Sequence, residues 1–152
     1  MLAADDVARH LDGLVHLDTQ RAPTGIDLTV DVVYRVTGPG SLDFGGGEFD
    51  EATCEKLDPV RQNPDDDYGW WVLDEGTYVV AFNESLRLAD GQRAVLRPLE
   101  RTVLAGAHHP ALRLTGDRDP IRTLLTVSDA GCRLKENARL TRIEVDGGAK
   151  TD

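Results

Sequence analysis

From Gly25 onward this chain shows no helical periodicity and breaks instead into many short runs of strand-forming residues. The first, over 28–36 (LTVDVVYRV), is rich in β-branched side chains and stops at Gly38-Pro39-Gly40. Further candidates follow at 70–73, 77–83, 85–88, 93–97, 101–105, 111–114, 121–127, 132–134 and 138–145. Turn signals separate them: Asp74-Glu75-Gly76, Asp90-Gly91, His109-Pro110, Gly116-Asp117 and Asp129-Ala130-Gly131. Short strands recurring at roughly 8–12-residue spacing point to an all-β barrel or sandwich. No internal repeat is visible.

One helix is expected, over residues 3–14. Val7, Leu11 and Leu14 fall at helical spacing, and Asp5 and Asp6 stand in the first turn, where acids suit the helix dipole. Residues 40–69, with Gly45-Gly46-Gly47, Pro59, Pro64 and Asp65-Asp66-Asp67, read as a long loop carrying short strands. The expected organisation is one β domain over 1–146 and a flexible tail over 147–152. A length of 152 residues suffices for one core, and with only 5% aromatic residues that core is built from Val, Leu and Ala.

Charge removes some functions. A net charge of −10 opposes binding to duplex nucleic acid, which needs clustered cations. Asp outnumbers Glu, the lysines are Lys56, Lys135 and Lys150, and Arg supplies most positive charge, a surface suited to concentrated salt. No run reaches the roughly 20 apolar residues of a membrane span. The acids near the N-terminus are unlike the basic start of a signal peptide, so a cytoplasmic protein is expected. Cys54 and Cys132 match no metal spacing and read as two buried thiols.

Polar residues inside strand-forming sequence are the candidates for chemistry, because a buried polar group needs a partner or a ligand. Glu84 interrupts an apolar run and is expected to pair with Arg87 or Arg93. Arg101-Thr102 opens another run, where Arg101 is either a phosphate ligand or half of an ion pair with Glu100 or another subunit. Asp27 reads equally as a turn cap or a site residue. His108-His109 has the residue type of a metal site but the spacing of opposite strand faces, so a turn or surface role is expected. Of Trp70 and Trp71, one ring should enter the core and the other face solvent or a partner.

The order of phrases along the chain resembles the dCTP deaminase/dUTPase superfamily, in its archaeal-type form with a short N-terminal helix. The phrases are Gly25-Ile26-Asp27-Leu28, then 76–91 (GTYVVAFNESLRLADG) and Glu100-Arg101-Thr102-Val103-Leu104. The last is Ala138-Arg139-Leu140-Thr141-Arg142-Ile143. The resemblance implies a distorted β-barrel or jelly-roll, a homotrimer with sites between subunits, and action on a deoxynucleoside triphosphate with Mg²⁺. It implies that Arg101 and Thr102 hold phosphates, that Asp27 and Arg139 lie at the nucleotide, and that Asp117 or Asp119 activates water. An Arg fork beside a hydroxyl is a sound way to hold phosphate.

The chain also departs from the family pattern. Glu100 stands where the phosphate phrase has Gly, and Val103 where it has a second Ser. The base-selecting hairpin is reduced to Asp117-Arg118-Asp119-Pro120-Ile121-Arg122, without its aromatic ring. No Glu follows over 123–125, which disfavours deamination. Two readings stay open: a dUTP pyrophosphohydrolase, or a member that keeps the fold and serves as a catalytically inactive nucleotide-binding, regulatory or structural trimer.

Overall fold

The computed structural model describes residues 1–147, and the tail expected over 147–152 lies, from 148 on, outside the described residues. In chain order the elements are α1 (Ala4–Ala8), β1 (Leu11–Asp12), α2 (Leu17–Gln20), β2 (Ile26–Gly38), β3 (Thr53–Leu57), β4 (Trp70–Leu73), β5 (Gly76–Phe82) and β6 (Ser85–Leu86). They continue with β7 (Arg93–Pro98), α3 (Glu100–Leu104), β8 (Ala107–His108), β9 (Leu112–Leu114), β10 (Arg122–Val127), β11 (Cys132–Lys135) and β12 (Arg139–Asp146). The main sheet runs β8-β10-β5-β2-β12-β7-β9, with β3 pairing β2 as well, and its ladders are antiparallel. This curled, mostly β architecture is the expected fold class.

Strand β2 is the spine. Its first part, Ile26 to Thr29, pairs with β12, and its later part, Val30 to Arg35, pairs with β5. The five residues from Ile26 to Val30 are all buried, because other chain covers both faces there. Strand β10 instead alternates exposed and buried, as a half-covered strand must. One contiguous core gathers Leu28, Val33, Val80, Leu125 and Ile143, each fully buried side chain being worth about 1.5–3 kcal/mol.

Three expected elements differ. The helix over 3–14 ends at Ala8, and Leu11-Asp12 pairs instead with Leu86-Ser85 as β1 and β6. So short a helix has little stability of its own, and pairing with β6 satisfies backbone groups that a longer helix would leave facing a strand edge. The strand expected over 101–105 is the helical turn α3, in which only Thr102 is buried. Pro98 and Leu99 end β7, so the β-branched Thr102 and Val103 have no ladder to join. The strand expected over 85–88 shrinks to Ser85–Leu86, while β3 is one of the short strands expected inside the 40–69 loop.

Several side chains also sit differently. Glu84 meets neither Arg87 nor Arg93: it is fully buried and accepts from the Thr29 N–H (2.8 Å), the Thr29 hydroxyl (2.7 Å) and the Gln20 amide (3.1 Å). Burial raises its carboxyl above the ordinary glutamate value, the donors pulling the other way. His109 is no surface residue but is buried, with Nδ1 on the Pro110 carbonyl (2.9 Å) and Nε2 on the Thr141 hydroxyl (2.8 Å). Both cysteines are free thiols, yet Cys54 is exposed on β3 while Cys132 is buried. Trp71 enters the core, and Trp70 lies under Arg133 (4.8 Å) and Lys135 (5.7 Å). Among the described residues no helix is long and apolar enough to cross a membrane.

Two tests follow from this packing. Glu84→Ala strands three donors in the core and should cost about 3–5 kcal/mol in denaturant unfolding. Burial lowers the His109 pKa below the ordinary 6.5. The unfolded chain therefore binds the extra proton first, and the stability His109 contributes is complete above 6.5 and lost as pH falls through its folded value. His109→Gln should flatten that part of the stability profile; an unchanged pH slope would refute the assignment.

Candidate functional site

The site begins as a cross-strand row. Arg142 on β12 lies directly opposite Asp27 on β2 and, on its other side, opposite Arg97 on β7. Directly opposed residues share a sheet face, so Asp27, Arg142 and Arg97 line up across three strands. Arg139, three residues before Arg142, would face away in a regular strand. A register shift between Arg139 and Thr141 inserts one extra residue and turns Arg139 to the same side.

Asp27 anchors the row. It is 3% exposed, with Oδ1 on Arg142 Nε at 2.8 Å and Oδ2 on an Arg139 terminal nitrogen at 3.5 Å. Arg139 also donates to the Thr19 carbonyl at 3.0 Å, tying α2 to β12. Arg97 pairs with Glu144 at 3.2 Å. Gly25, just before this row, approaches β12 so closely that a Cβ would lie 2.5 Å from the Ile143 carbonyl oxygen, which is why the first phrase needs glycine there.

Helical turn α3 brings the fourth guanidinium. Arg101 lines a 510 Å³ cavity with Asp27, Arg97, Glu100, Arg139, Arg142 and Glu144. Its guanidinium has no ion-pair partner among the described residues, so of its expected alternatives the pair with Glu100 is not formed. Thr102 points inward and donates to the Leu140 carbonyl at 2.6 Å, which pins α3 onto β12. Its hydroxyl thus holds the site together from beneath.

Asp27, Arg101, Thr102 and Arg139, distant in sequence, are brought together here. Asp117 and Asp119 line neither this cavity nor its neighbour. Asp117 accepts from the Leu88 N–H (3.0 Å) and Asp119 from the Ser85 hydroxyl (2.6 Å), fastening their turn to β6. Sequence reasoning did not single out Arg97 or Gln20. Arg97 could be found only by knowing its register against Arg142, and Gln20 only by knowing that Glu84 is buried beside it.

A protein-held Mg²⁺ does not fit this donor set. Both Asp27 oxygens are taken by guanidinium groups, and no group of three His, Cys, Asp or Glu side chains that could hold a metal occurs among the described residues.

Comparison with known proteins gives this geometry a context. The chain is 30% identical over 135 residues to a probable deoxyuridine 5'-triphosphate nucleotidohydrolase of Methanosarcina acetivorans, covering 88% of this chain and 75% of that protein. The chain belongs to the dCTP deaminase/dUTPase superfamily. A member from Archaeoglobus fulgidus with the same description is 27% identical over 154 residues, covering 94% of this chain and 85% of that one. The superfamily fold recurs in the crystal structure of 2'-deoxycytidine 5'-triphosphate deaminase from Agrobacterium tumefaciens, with TM-score 0.66 and 21% identity. That match covers 95% of this chain but 47% of the other, so the chain spans about half its length. No protein-family model matches the chain.

The arginines differ in what their loss should do. Arg142→Ala leaves Asp27 buried with one long contact and should destabilise by about 3–5 kcal/mol. Arg101→Ala removes an exposed side chain without ion-pair partners among the described residues and should shift stability by less than about 0.5 kcal/mol. Thermal unfolding of the two variants side by side checks this, and equal losses would show that Arg101 is structural.

Proposed function

We propose that this chain is a pyrophosphohydrolase of deoxyribonucleotide metabolism acting on dUTP or a closely related deoxynucleoside triphosphate. The observation that carries the reading is the cleft holding Arg97, Arg101, Arg139 and Arg142, with Arg101 unpaired among the described residues. Four guanidinium groups against the three carboxylates Asp27, Glu100 and Glu144 leave the cleft one positive charge in excess on a protein of net charge −10, a local preference for anions that rests on Arg101. Guanidinium forks meet phosphate oxygens in pairs, each charge-assisted bond being worth about 1.5–3 kcal/mol.

In the reaction, a water oxygen attacks the α-phosphorus and the bridging bond to the β-phosphate breaks. Pyrophosphate leaves, and the water proton passes to a base. The arginines neutralise charge that builds on the phosphate oxygens, and catalysis is mainly positioning. Asp27 holds Arg139 and Arg142 in place and is a positioning residue. Mg²⁺ has no carboxylate set of its own here, and the charge is met by guanidinium groups.

Asp117 and Asp119 serve as bases only where a second copy of the chain brings its 117–119 turn to this cleft, so a catalytic role for them requires the homotrimer with shared sites. Apolar side chains left open on the sheet and its covering loop, including Leu42, Phe49 and Leu124, suit such self-assembly. The second reading, a binding or regulatory member without catalysis, is favoured by Glu100. This carboxylate lines the same cavity and would repel a triphosphate.

Incubation with dUTP or dCTP and Mg²⁺ in concentrated salt, with pyrophosphate and ammonia measured, separates the readings. Pyrophosphate from dUTP without ammonia is expected. Nucleotide binding with neither product would establish the non-catalytic member. Arg101→Ala should weaken polyphosphate affinity roughly 10–100-fold at unchanged Tm. Light scattering checks the trimer.

A further inference from the structure

The three carboxylates of the arginine-lined cavity are not equally committed. Asp27 gives one oxygen to Arg142 and the other to Arg139. Glu144 Oε1 pairs with Arg97 at 3.2 Å, and its Oε2 accepts from the Thr24 hydroxyl at 3.1 Å. Glu100 lines the same cavity, is exposed, and has neither an ion pair nor a side-chain hydrogen bond among the described residues. Glu100 and Arg101 are thus the acid and the base that the cavity leaves without ion pairs among the described residues, and they are neighbours in the chain.

The residues on either side hold Glu100 at the cleft. Leu99 is buried, and its N–H donates to the Leu140 carbonyl at 3.1 Å. Thr102 is buried too, and its hydroxyl donates to the same carbonyl at 2.6 Å. The backbone of α3 therefore cannot swing the acid away, and Arg97, Arg139 and Arg142 are already taken by other carboxylates. A simpler role for Glu100 is that of a first-turn acid, which suits the dipole of α3. Such a role concerns the helical turn alone and would act on every ligand alike.

What a fixed carboxylate does to a bound anion depends on the anion's charge. Coulomb repulsion grows in proportion to that charge, so Glu100 weakens a triphosphate more than a diphosphate, and a single phosphate least. Arg101 attracts in the same proportion, so the two neighbours oppose each other. The cleft's excess of one positive charge then comes from Asp27 standing against two guanidinium groups. Without Glu100 the excess would be two, and each added phosphate would gain more from the cleft.

We propose that Glu100 is a specificity-determining residue that levels the cleft's response to phosphate number, so that a diphosphate is held about as tightly as a triphosphate. The inference rests on the arginine reading above and goes further, because it assigns the choice among phosphate chains to Glu100 and brings deoxynucleoside diphosphates into the class of ligands the cleft accepts.

The test is calorimetric binding of inorganic phosphate, pyrophosphate and tripolyphosphate to the full chain, at low ionic strength and without divalent cations. Wild type is compared with Glu100→Gln, Glu100→Asp and Arg101→Ala, all at exposed positions. Wild type should hold pyrophosphate and tripolyphosphate within roughly threefold of each other. Glu100→Gln should strengthen tripolyphosphate binding at least roughly threefold more than pyrophosphate binding, and phosphate binding least. Glu100→Asp keeps the charge and should keep the wild-type order, and concentrated salt should shrink the gap between wild type and Glu100→Gln. Arg101→Ala should weaken all three anions. A Glu100→Gln effect that is absent, or equal for the three anions, overturns the role of Glu100 and leaves the cleft standing. So does a wild type that favours tripolyphosphate beyond the threefold margin. Failure of all three anions to bind wild type and Glu100→Gln overturns the arginine reading and this inference with it.

Discussion

The buried carboxylate of Glu84 is the contact on which the site depends. It collects three donors, two from Thr29 on β2 and one from Gln20 on α2, in a place where none could reach water. Any one of these donors left without a partner would cost about 1–3 kcal/mol, so the three segments are held in one arrangement. Gln20 then passes the constraint outward, to the backbone of Val15 and His16 and to the carbonyl of Asp27. An acid in the strand-forming sequence thus acts as a joint, setting the N-terminal segment against the strand that carries the arginine row.

A second constraint acts within the sheet. Asp27 is nearly as buried as Glu84, yet it lies opposite Arg142 and within reach of Arg139. The two acids are held in different ways, Glu84 by neutral donors and Asp27 by cations. Satisfying Asp27 fixes two guanidinium groups that line the cavity. The bulge in β12 makes this possible, since without it Arg139 would fall on the other face. Thr102 and His109 complete the support by bonding α3 and the segment after β8 to neighbouring positions of β12.

Much of the β framework was legible in the sequence because it follows from local chemistry. Strands at 70–73, 121–127 and 138–145 are signalled by β-branched residues between glycine and aspartate turns, and the structure has them within a residue or so. Helical turn α3 was not legible: its residues have strand-like character, and only the end of β7 at Pro98 and the Thr102 bond to Leu140 decide otherwise. The N-terminal helix failed for the converse reason, a helical pattern cut short by pairing with β6.

The sequence by itself determined the class of fold, the acidic surface, and the identity of Asp27, Arg101, Thr102 and Arg139 as residues worth locating. Composition and local pattern are enough for that, because strand and turn preferences act over a few residues. Tertiary structure alone decided that Glu84 joins Gln20 rather than an arginine, that Arg97 and Arg142 complete the row, and that Asp117 and Asp119 stand outside it. The physical reason is that register, bulge and burial are set by pairings between residues far apart in the chain, and a carboxylate's partner depends on which of them the folded sheet brings within about 3 Å.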